Sequence, residues 1–325
     1  MSSNFPYPTS APPSSVVASK DDSRQTPWYM SILDVSTLLF LGAIWGGAFP
    51  MMRVATAEFG PFALVGLRVS IGALVLLPIL FRTESRRILR ERKWAFFFVG
   101  LTSSGASFPL FAYATLNLGA GIGSVFTGLT PLFTSLVAWL WLRERLSPRQ
   151  IGGIFVAWFG VILLSALHQK GGFSYERLSV LPILAALGAT FLYGIGANLA
   201  KVHLAGVSAS LISAGALASS ALIDLPFAWT YWPETAPSLI SWVFVFLLGA
   251  VCTAAAYLLY FRLVERIGVQ RAIAVTFLVP PFGLFWGWLF LNESLSWGEF
   301  ACVGLIFAGT AMLVSGHAKK ITSAA

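Results

Sequence analysis

Charge is what this chain has least of. Only 10% of its 325 residues are Asp, Glu, Lys or Arg, against 57% hydrophobic residues, whereas a soluble domain carries about 25% charged residues. So little charge cannot cover a water-facing surface, which excludes a soluble globular protein and leaves lipid as the main solvent. Cysteine is scarce as well. Cys252 and Cys302 both lie inside apolar runs, where a thiol acts as a small buried hydrophobe rather than as half of a functional disulfide. The three histidines, His168, His203 and His317, are scattered among loops and helix ends, so no metal site is expected, and no cofactor. Residues 1–30 lack the basic start and apolar stretch of a secretory signal peptide. Being rich in Ser, Pro and Thr, the chain up to residue 31 reads as a disordered tail. The first spanning helix then acts as its own uncleaved signal.

What is present is long apolar stretches. A spanning helix needs roughly 20 apolar residues, and such runs fall near 32–55, 62–81, 94–116, 121–142 and 148–167, then near 179–200, 207–230, 240–263, 268–291 and 297–316. The predicted fold is all-α integral membrane, with ten transmembrane helices. The net charge of +8 does not point to nucleic acid, because the basic residues occupy short gaps between apolar runs, as in loops facing anionic lipid. With the N-terminus inside, 17 of the 21 Lys and Arg fall on the cytoplasmic side and only Arg53, Lys170 and Arg177 on the other; Arg68 lies within the second helix. Both termini are therefore predicted to be cytoplasmic, in a multi-pass protein of the inner (plasma) membrane. The expected partners are the lipid bilayer and a small-molecule substrate, with monomer and homodimer both left open.

The chain also repeats itself. Residues 127 and 276, 131 and 280, 144 and 293, and 147 and 296 pair Thr with Thr, Pro with Pro, Glu with Glu and Ser with Ser, each 149 positions apart. Because five is an odd number of crossings, the second unit starts on the opposite face and is inverted relative to the first. Inverted repeats permit alternating access around a site where the halves meet. The expected units are 32–167 and 179–316, joined by a linker at 168–178 and followed by a tail at 317–325.

Local patterns recur in both units. The first helix of each carries an aromatic-Gly stretch ending in a cation, Trp45-Gly46-Gly47 to Arg53 and Tyr193-Gly194-Ile195 to Lys201. The fourth carries Thr and Pro and ends in Glu. The fifth opens with a capping box, Ser147-Pro148-Arg149-Gln150 or Ser296-Trp297-Gly298-Glu299. With Leu67-Arg68-Val69 added, the chain over about 32–316 resembles the EamA family of the drug/metabolite transporter superfamily, in its ten-helix, two-repeat form. The resemblance implies an exporter or facilitator of small metabolites, often amino acids or their derivatives. It also implies a cavity lined by the first, third and fourth helices of each repeat, with the fifth helix peripheral or at a dimer contact.

Candidate site residues follow from depth and chemistry. Trp45, Tyr113, Asn117, Tyr193, Asn198, Tyr257 and Tyr260 are the polar-capable side chains on the expected lining helices, and aromatic rings with one hydrogen-bonding group suit a small amphipathic solute. Asn198 stands out, because an amide facing lipid is costly. Trp28, Trp94, Trp229, Trp232, Trp242 and Trp297 fit an interfacial belt instead. Pro131 and Pro280 read as mid-helix bends, with Thr127 and Thr276 one turn earlier on the same side; these positions either line the cavity or shape helix packing. Glu144 and Glu293 are either gate carboxylates or structural caps at the next helix, and the cap is favoured by the Leu-Ser that follows each. Arg53 and Lys201 read as counterweights to helix dipoles. Arg68 and Asp224 lie at similar depth, as a buried ion pair would require, although each also has the reach to snorkel. Gly42-x3-Gly46, Gly119-x3-Gly123 and Gly283-x3-Gly287 read as packing seams.

Three functions compete with metabolite export. A multidrug or organic-cation exporter wants a carboxylate at mid-membrane, and only Asp34 stands at the entrance of the first helix. An intramembrane enzyme needs a nucleophile–base pair or a metal cluster at membrane depth, and none is found. A lipid-headgroup flippase is separable only by assay.

Overall fold

The computed structural model describes residues 31–144, 146–168, 180–267, 272, 274–294 and 296–322, with the side chains of 165, 168 and 313–322 left aside. The expected N-terminal tail before Ser31, the linker beyond His168, and Trp28, Arg145, Lys170, Arg177 and Arg271 lie outside the described residues. Among those residues every regular element is a helix. In chain order these are α1 Ile32–Leu80, α2 Thr83–Glu91, α3 Lys93–Gly100, a first π-helix (π1) Leu101–Gly105, α4 Ser107–Leu118, α5 Ala120–Thr127, α6 Thr130–Leu142 and α7 Pro148–His168. Then follow α8 Leu181–His203, α9 Ala209–Thr230, α10 Leu239–Phe246, a second π-helix (π2) Leu247–Ala255, α11 Ala256–Ile267, α12 Val275–Leu291 and α13 Trp297–Thr322.

Six stretches are long and apolar enough to cross a bilayer: Ile32–Leu80, Lys93–Leu118, Ala120–Leu142, Leu181–His203, Ala209–Thr230 and Leu239–Ile267. Shorter apolar helices lie at Pro148–Leu164, Val275–Leu291 and Trp297–Met312. The first two expected spans are one helical element, broken at Gly60, whose φ of 73° and ψ of 166° are non-helical. Sixteen residues of straight helix would separate Met52 from Arg68 by roughly 24 Å, yet Arg68 Nη1 lies 3.9 Å from Met52 Sδ. The chain therefore folds back at Gly60, where glycine tolerates the positive φ and Pro61 suits the first turn of the returning helix. Ser31 is not tail but the N-cap of α1, in a reciprocal capping box with Asp34, and Asp34 also pairs with Arg266 of α11 at 3.0 Å.

The 149-residue offset recurs in backbone geometry. Arg143 and Asn292 both end their helices in the left-handed region, at φ 56° and 52°. The next amide donates back to the same carbonyl in each unit: Glu144 N to Ala138 O and Glu293 N to Gly287 O, both at 3.2 Å. This six-to-one bond is the Schellman closure. Tightened turns match too, Gly128 N to Val125 O at 3.0 Å and Phe277 N to Ala274 O at 3.1 Å. Both capping boxes form, Ser147 with Gln150 and Ser296 with Glu299.

The two units interlock. α1 packs on α12, π2, α11 and α9 of the second unit, while α8 packs on α4 and α6 of the first; α7 lies chiefly along α13. The glycine spacings mark these crossings: a Cβ on Gly42 would stand 2.6 Å from Leu278, one on Gly46 2.8 Å from the Gly283 amide, and one on Gly194 2.8 Å from the Phe133 carbonyl carbon. Side chains facing outward are largely apolar, including Phe155, Leu222, Trp229 and Trp297, as lipid contact requires. Trp94, Trp232 and Trp242 are exposed with them.

Candidate functional site

A cavity of about 220 Å³ opens where the two units meet. The first unit lines it with Trp45, Ala48, Phe49, Met52 and Arg68 from α1, Phe108 and Phe111 from α4, and Thr127 and Thr130 from the break between α5 and α6. The second contributes Tyr193 from α8, Cys252 from π2, Tyr257 from α11, and Thr276 and Val279 from α12. Its walls are mostly aromatic. Trp45 meets Tyr257 edge-on at 6.2 Å between ring centres, and Phe111 tilts against Tyr193 at 5.6 Å. The indole N–H of Trp45 donates to the Cys252 carbonyl at 3.0 Å, which holds the ring across the boundary between units. Thr127 and Thr130 donate their hydroxyls to backbone carbonyls at 2.6 and 2.7 Å, leaving oxygen lone pairs available.

The sequence-derived candidates divide. Trp45, Thr127, Tyr193, Tyr257 and Thr276 line the cavity. Tyr260 does not, but packs at 5.6 Å against Trp45. Tyr113 belongs to a second cavity, shared with Asp224 and Pro61. Asn117 is exposed, and its amide donates to the Tyr113 carbonyl one turn back, at 2.7 Å. Asn198 is buried to 1% exposure but faces the seam: its Nδ2 donates to Thr134 O at 2.9 Å and Gly194 O at 2.8 Å. The burial that singled it out is satisfied by two carbonyls at the close α6–α8 crossing. Asn198→Ala is therefore expected to destabilise the fold by about 1–2 kcal/mol through lost hydrogen bonds. Thermal unfolding would show this, while transport per folded molecule stays near wild type.

Pro131 is not a mid-helix bend. It lies in the first turn of α6, after the break at Gly128-Leu129, where a missing N–H leaves no carbonyl unpaired. Pro280 lies inside α12, with the matching tightened turn just before it.

No ion pair joins Arg68 to Asp224 among the described residues. Asp224 is buried against π1, near Gly105, with Oδ2 lacking a hydrogen-bond partner. Arg68 turns into the central cavity instead. Its Nε donates to Thr253 Oγ1 of π2 at 3.1 Å, and its guanidinium carbon lies 4.1 Å from the centre of the Phe108 ring. Both contacts depend on π-helical turns. Thr253 Oγ1 donates in turn to Leu248 O, five residues back, at 2.8 Å, and Phe108 stands three residues beyond π1.

Glu144 and Glu293 make contacts that the sequence reading missed. Glu293 does not cap the helix that follows it, whose cap is the Ser296–Glu299 box. Its carboxylate reaches into the first unit, accepting from the amides of Ala120 at 2.7 Å and Gly121 at 2.8 Å at the start of α5, and it pairs with Arg53. Glu144 pairs with Lys201 at 2.5 Å. Arg53 and Lys201 are thus cross-unit partners, not simple dipole counterweights: in each case the cation ending one unit's first helix meets the carboxylate ending the other unit's fourth. The repeated charge pattern carried that signal, had the halves been assumed to interlock.

Comparison with known proteins places this arrangement. The chain is 26% identical over 299 residues, 88% of its length and 94% of the relative's, to a probable amino-acid metabolite efflux pump of Escherichia coli. It is equally 26% identical over 298 residues, 89% and 93% of the two lengths, to the uncharacterized transporter YvbV of Bacillus subtilis. A probable terminal-alkyne amino-acid exporter of Streptantibioticus cattleyicolor is 25% identical over 80% of this chain and 86% of its own. A crystal structure superposes with a TM-score of 0.59 at 21% identity, over 86% of this chain and 96% of that one, a likeness of fold alone. The model of the EamA-like transporter family matches twice, at residues 34–166 and 180–315, and this chain, a membrane protein built of two such units, belongs to that family.

Proposed function

We propose that this protein is a secondary transporter that moves a small, amino-acid-like metabolite across the plasma membrane by alternating access between two inverted five-helix units. The observation that carries the reading is the central cavity, lined by both units and lying between two equivalent ion pairs, Arg53–Glu293 and Lys201–Glu144. If the chain breaks at Gly60 and the shorter apolar helices are counted, ten crossings result. Inversion then puts one ion pair at each mouth, as a carrier needs if either mouth is to open while the other stays shut. The names of the relatives support a metabolite of amino-acid type.

The test is counterflow in proteoliposomes, with pooled amino acids and their derivatives offered to the purified full chain. Labelled solute should accumulate against unlabelled solute inside, and Trp45→Ala should lower the rate at least about tenfold by removing a wall that spans both units. Unchanged flux in Trp45→Ala would place the pathway elsewhere. Reporter fusions test the topology independently. Those after His168 and Thr235 should read extracytoplasmic, and those after Arg90 and Lys320 cytoplasmic; a cytoplasmic signal after Thr235 would break the ten-crossing arrangement.

A further inference from the structure

The central cavity contains a cation with no counter-charge. Arg68 is 9% exposed, and among the described residues no carboxylate lies within ion-pair distance of it. Its Nη2 makes no hydrogen bond, and its other contacts are a hydroxyl, a thioether and the Phe108 ring face. A guanidinium stays charged at any physiological pH, and a buried charge costs several kcal/mol unless a partner offsets it. One hydroxyl and a ring face offset only part. The remainder of the site supplies nothing negative: the cavity lining includes no Asp or Glu.

Fixed position matters here as much as charge. Arg68 does not snorkel towards a headgroup, because Thr253 of π2 holds its Nε and Phe108, just past π1, supports its flat face. These two contacts come from opposite units. The guanidinium is therefore held at the unit boundary with one edge free, an arrangement suited to a bidentate carboxylate. Beside it, the hydroxyls of Tyr193 and Tyr257 make no hydrogen bond among the described residues and are available to a ligand, while Trp45, Phe49 and Phe111 supply flat apolar surface.

Resting on the carrier reading above, we propose that the substrate is a small organic carboxylate of net negative charge with an aromatic or branched apolar body, anchored by Arg68. A free ammonium group finds no carboxylate in this cavity and stands under the field of Arg68, so an amino acid whose amino group is absent or acylated fits better than the zwitterion. The ring faces alone would attract a cation, but the guanidinium already occupies the Phe108 face and repels a second positive charge.

The experiment uses four probes sharing a phenyl body: 3-phenylpropanoate, N-acetylphenylalanine, phenylalanine and phenethylammonium. Equilibrium binding is measured on the purified full chain, and counterflow in proteoliposomes separately. Either anion should bind about tenfold or more tightly than phenethylammonium, with phenylalanine between them, since a charged hydrogen bond is the difference. Arg68→Met should erase the ranking, and Arg68→Lys should keep part of it. The ranking in the wild-type protein stands as a test even if Arg68→Met fails to fold. Equal binding of all four probes, a preference for the cation, no binding of any probe, or an anion preference that survives in folded Arg68→Met would each overturn the proposal. Anion-selective binding without counterflow would support the anion site and sink the carrier reading. Counterflow without charge preference would do the reverse.

Discussion

Glu293→Ala is expected to lower the stability of the solubilised protein by about 3 kcal/mol, far more than Glu144→Ala. The carboxylate of Glu293 does two jobs at once. It satisfies the amides of Ala120 and Gly121 at an otherwise uncapped helix start, and hydrogen bonds to a charged group are worth about 1.5–3 kcal/mol each. It also pairs with Arg53, although that partner is 31% exposed, so the pair itself contributes the smaller share. Lys201 and Glu144 are 59% and 42% exposed, and an ion pair so open to water is worth about 0.2–1 kcal/mol. Glu293→Gln, which keeps one acceptor oxygen, should recover part of the loss, whereas Arg53→Ala should cost less than Glu293→Ala. Thermal unfolding in low salt and in high salt separates the contributions: the loss through Glu144 should fade with salt, and the loss through Glu293 should largely persist. Equal losses from the two alanine variants would show that the helix-start bonds contribute little.

Gly46→Ala is expected to prevent normal assembly of the two units, whereas its neighbour Gly47→Ala should be tolerated. Both substitutions gain helix propensity of up to about 1 kcal/mol. At Gly46, however, the new methyl would stand 2.6 Å from Phe282 Cβ, 2.8 Å from the Gly283 amide and 2.9 Å from the Phe282 carbonyl carbon. Two of these are backbone atoms that cannot swing aside, so α1 and α12 must separate. At Gly47 the nearest atoms belong to the Trp286 ring at 3.6 Å, an ordinary contact. Overpacking costs about 1–3 kcal/mol where side chains can adjust, and backbone contact raises the penalty. Monodisperse yield and unfolding temperature report the outcome, and a Gly46→Ala protein as stable as Gly47→Ala would show that this seam has slack. Gly194→Ala meets the Phe133 and Thr134 backbone at the equivalent crossing of α8 on α6.

What the sequence reveals well is whatever is decided within one turn of helix. The capping boxes at Ser147 and Ser296 and the match of Glu144 with Glu293 are short-range patterns, and each is found at the same offset in the backbone hydrogen bonds. What it conceals is which way a helix faces. Asn198 looked like a ligand group because an amide in an apolar helix needs a partner; that partner proved to be a carbonyl exposed where Gly194 lets α6 come close. Phe108 and Phe111 escaped attention because π1 shifts the phase of everything after it, so a 3.6-residue period drawn through the third apolar run points them elsewhere. The ion pairs escaped because each joins one unit to the other, which no local spacing encodes.

The π-helical turns have a consequence for how this sequence can change. Each takes in more residues per turn than the α-helix around it, and the two occur at corresponding places, Leu101–Gly105 and Leu247–Ala255. Loss of one residue from the first would not merely shorten the helix. It would turn α4 about its axis by about 100°, like a screw wound back part of a revolution. Phe108 would leave the guanidinium of Arg68, and Phe111 would leave Tyr193, without either residue being altered. Insertions and deletions here are thus rotations of the cavity wall, and a lineage could exchange one set of lining side chains for another by a single-codon loss while every contact outside that helix keeps its place.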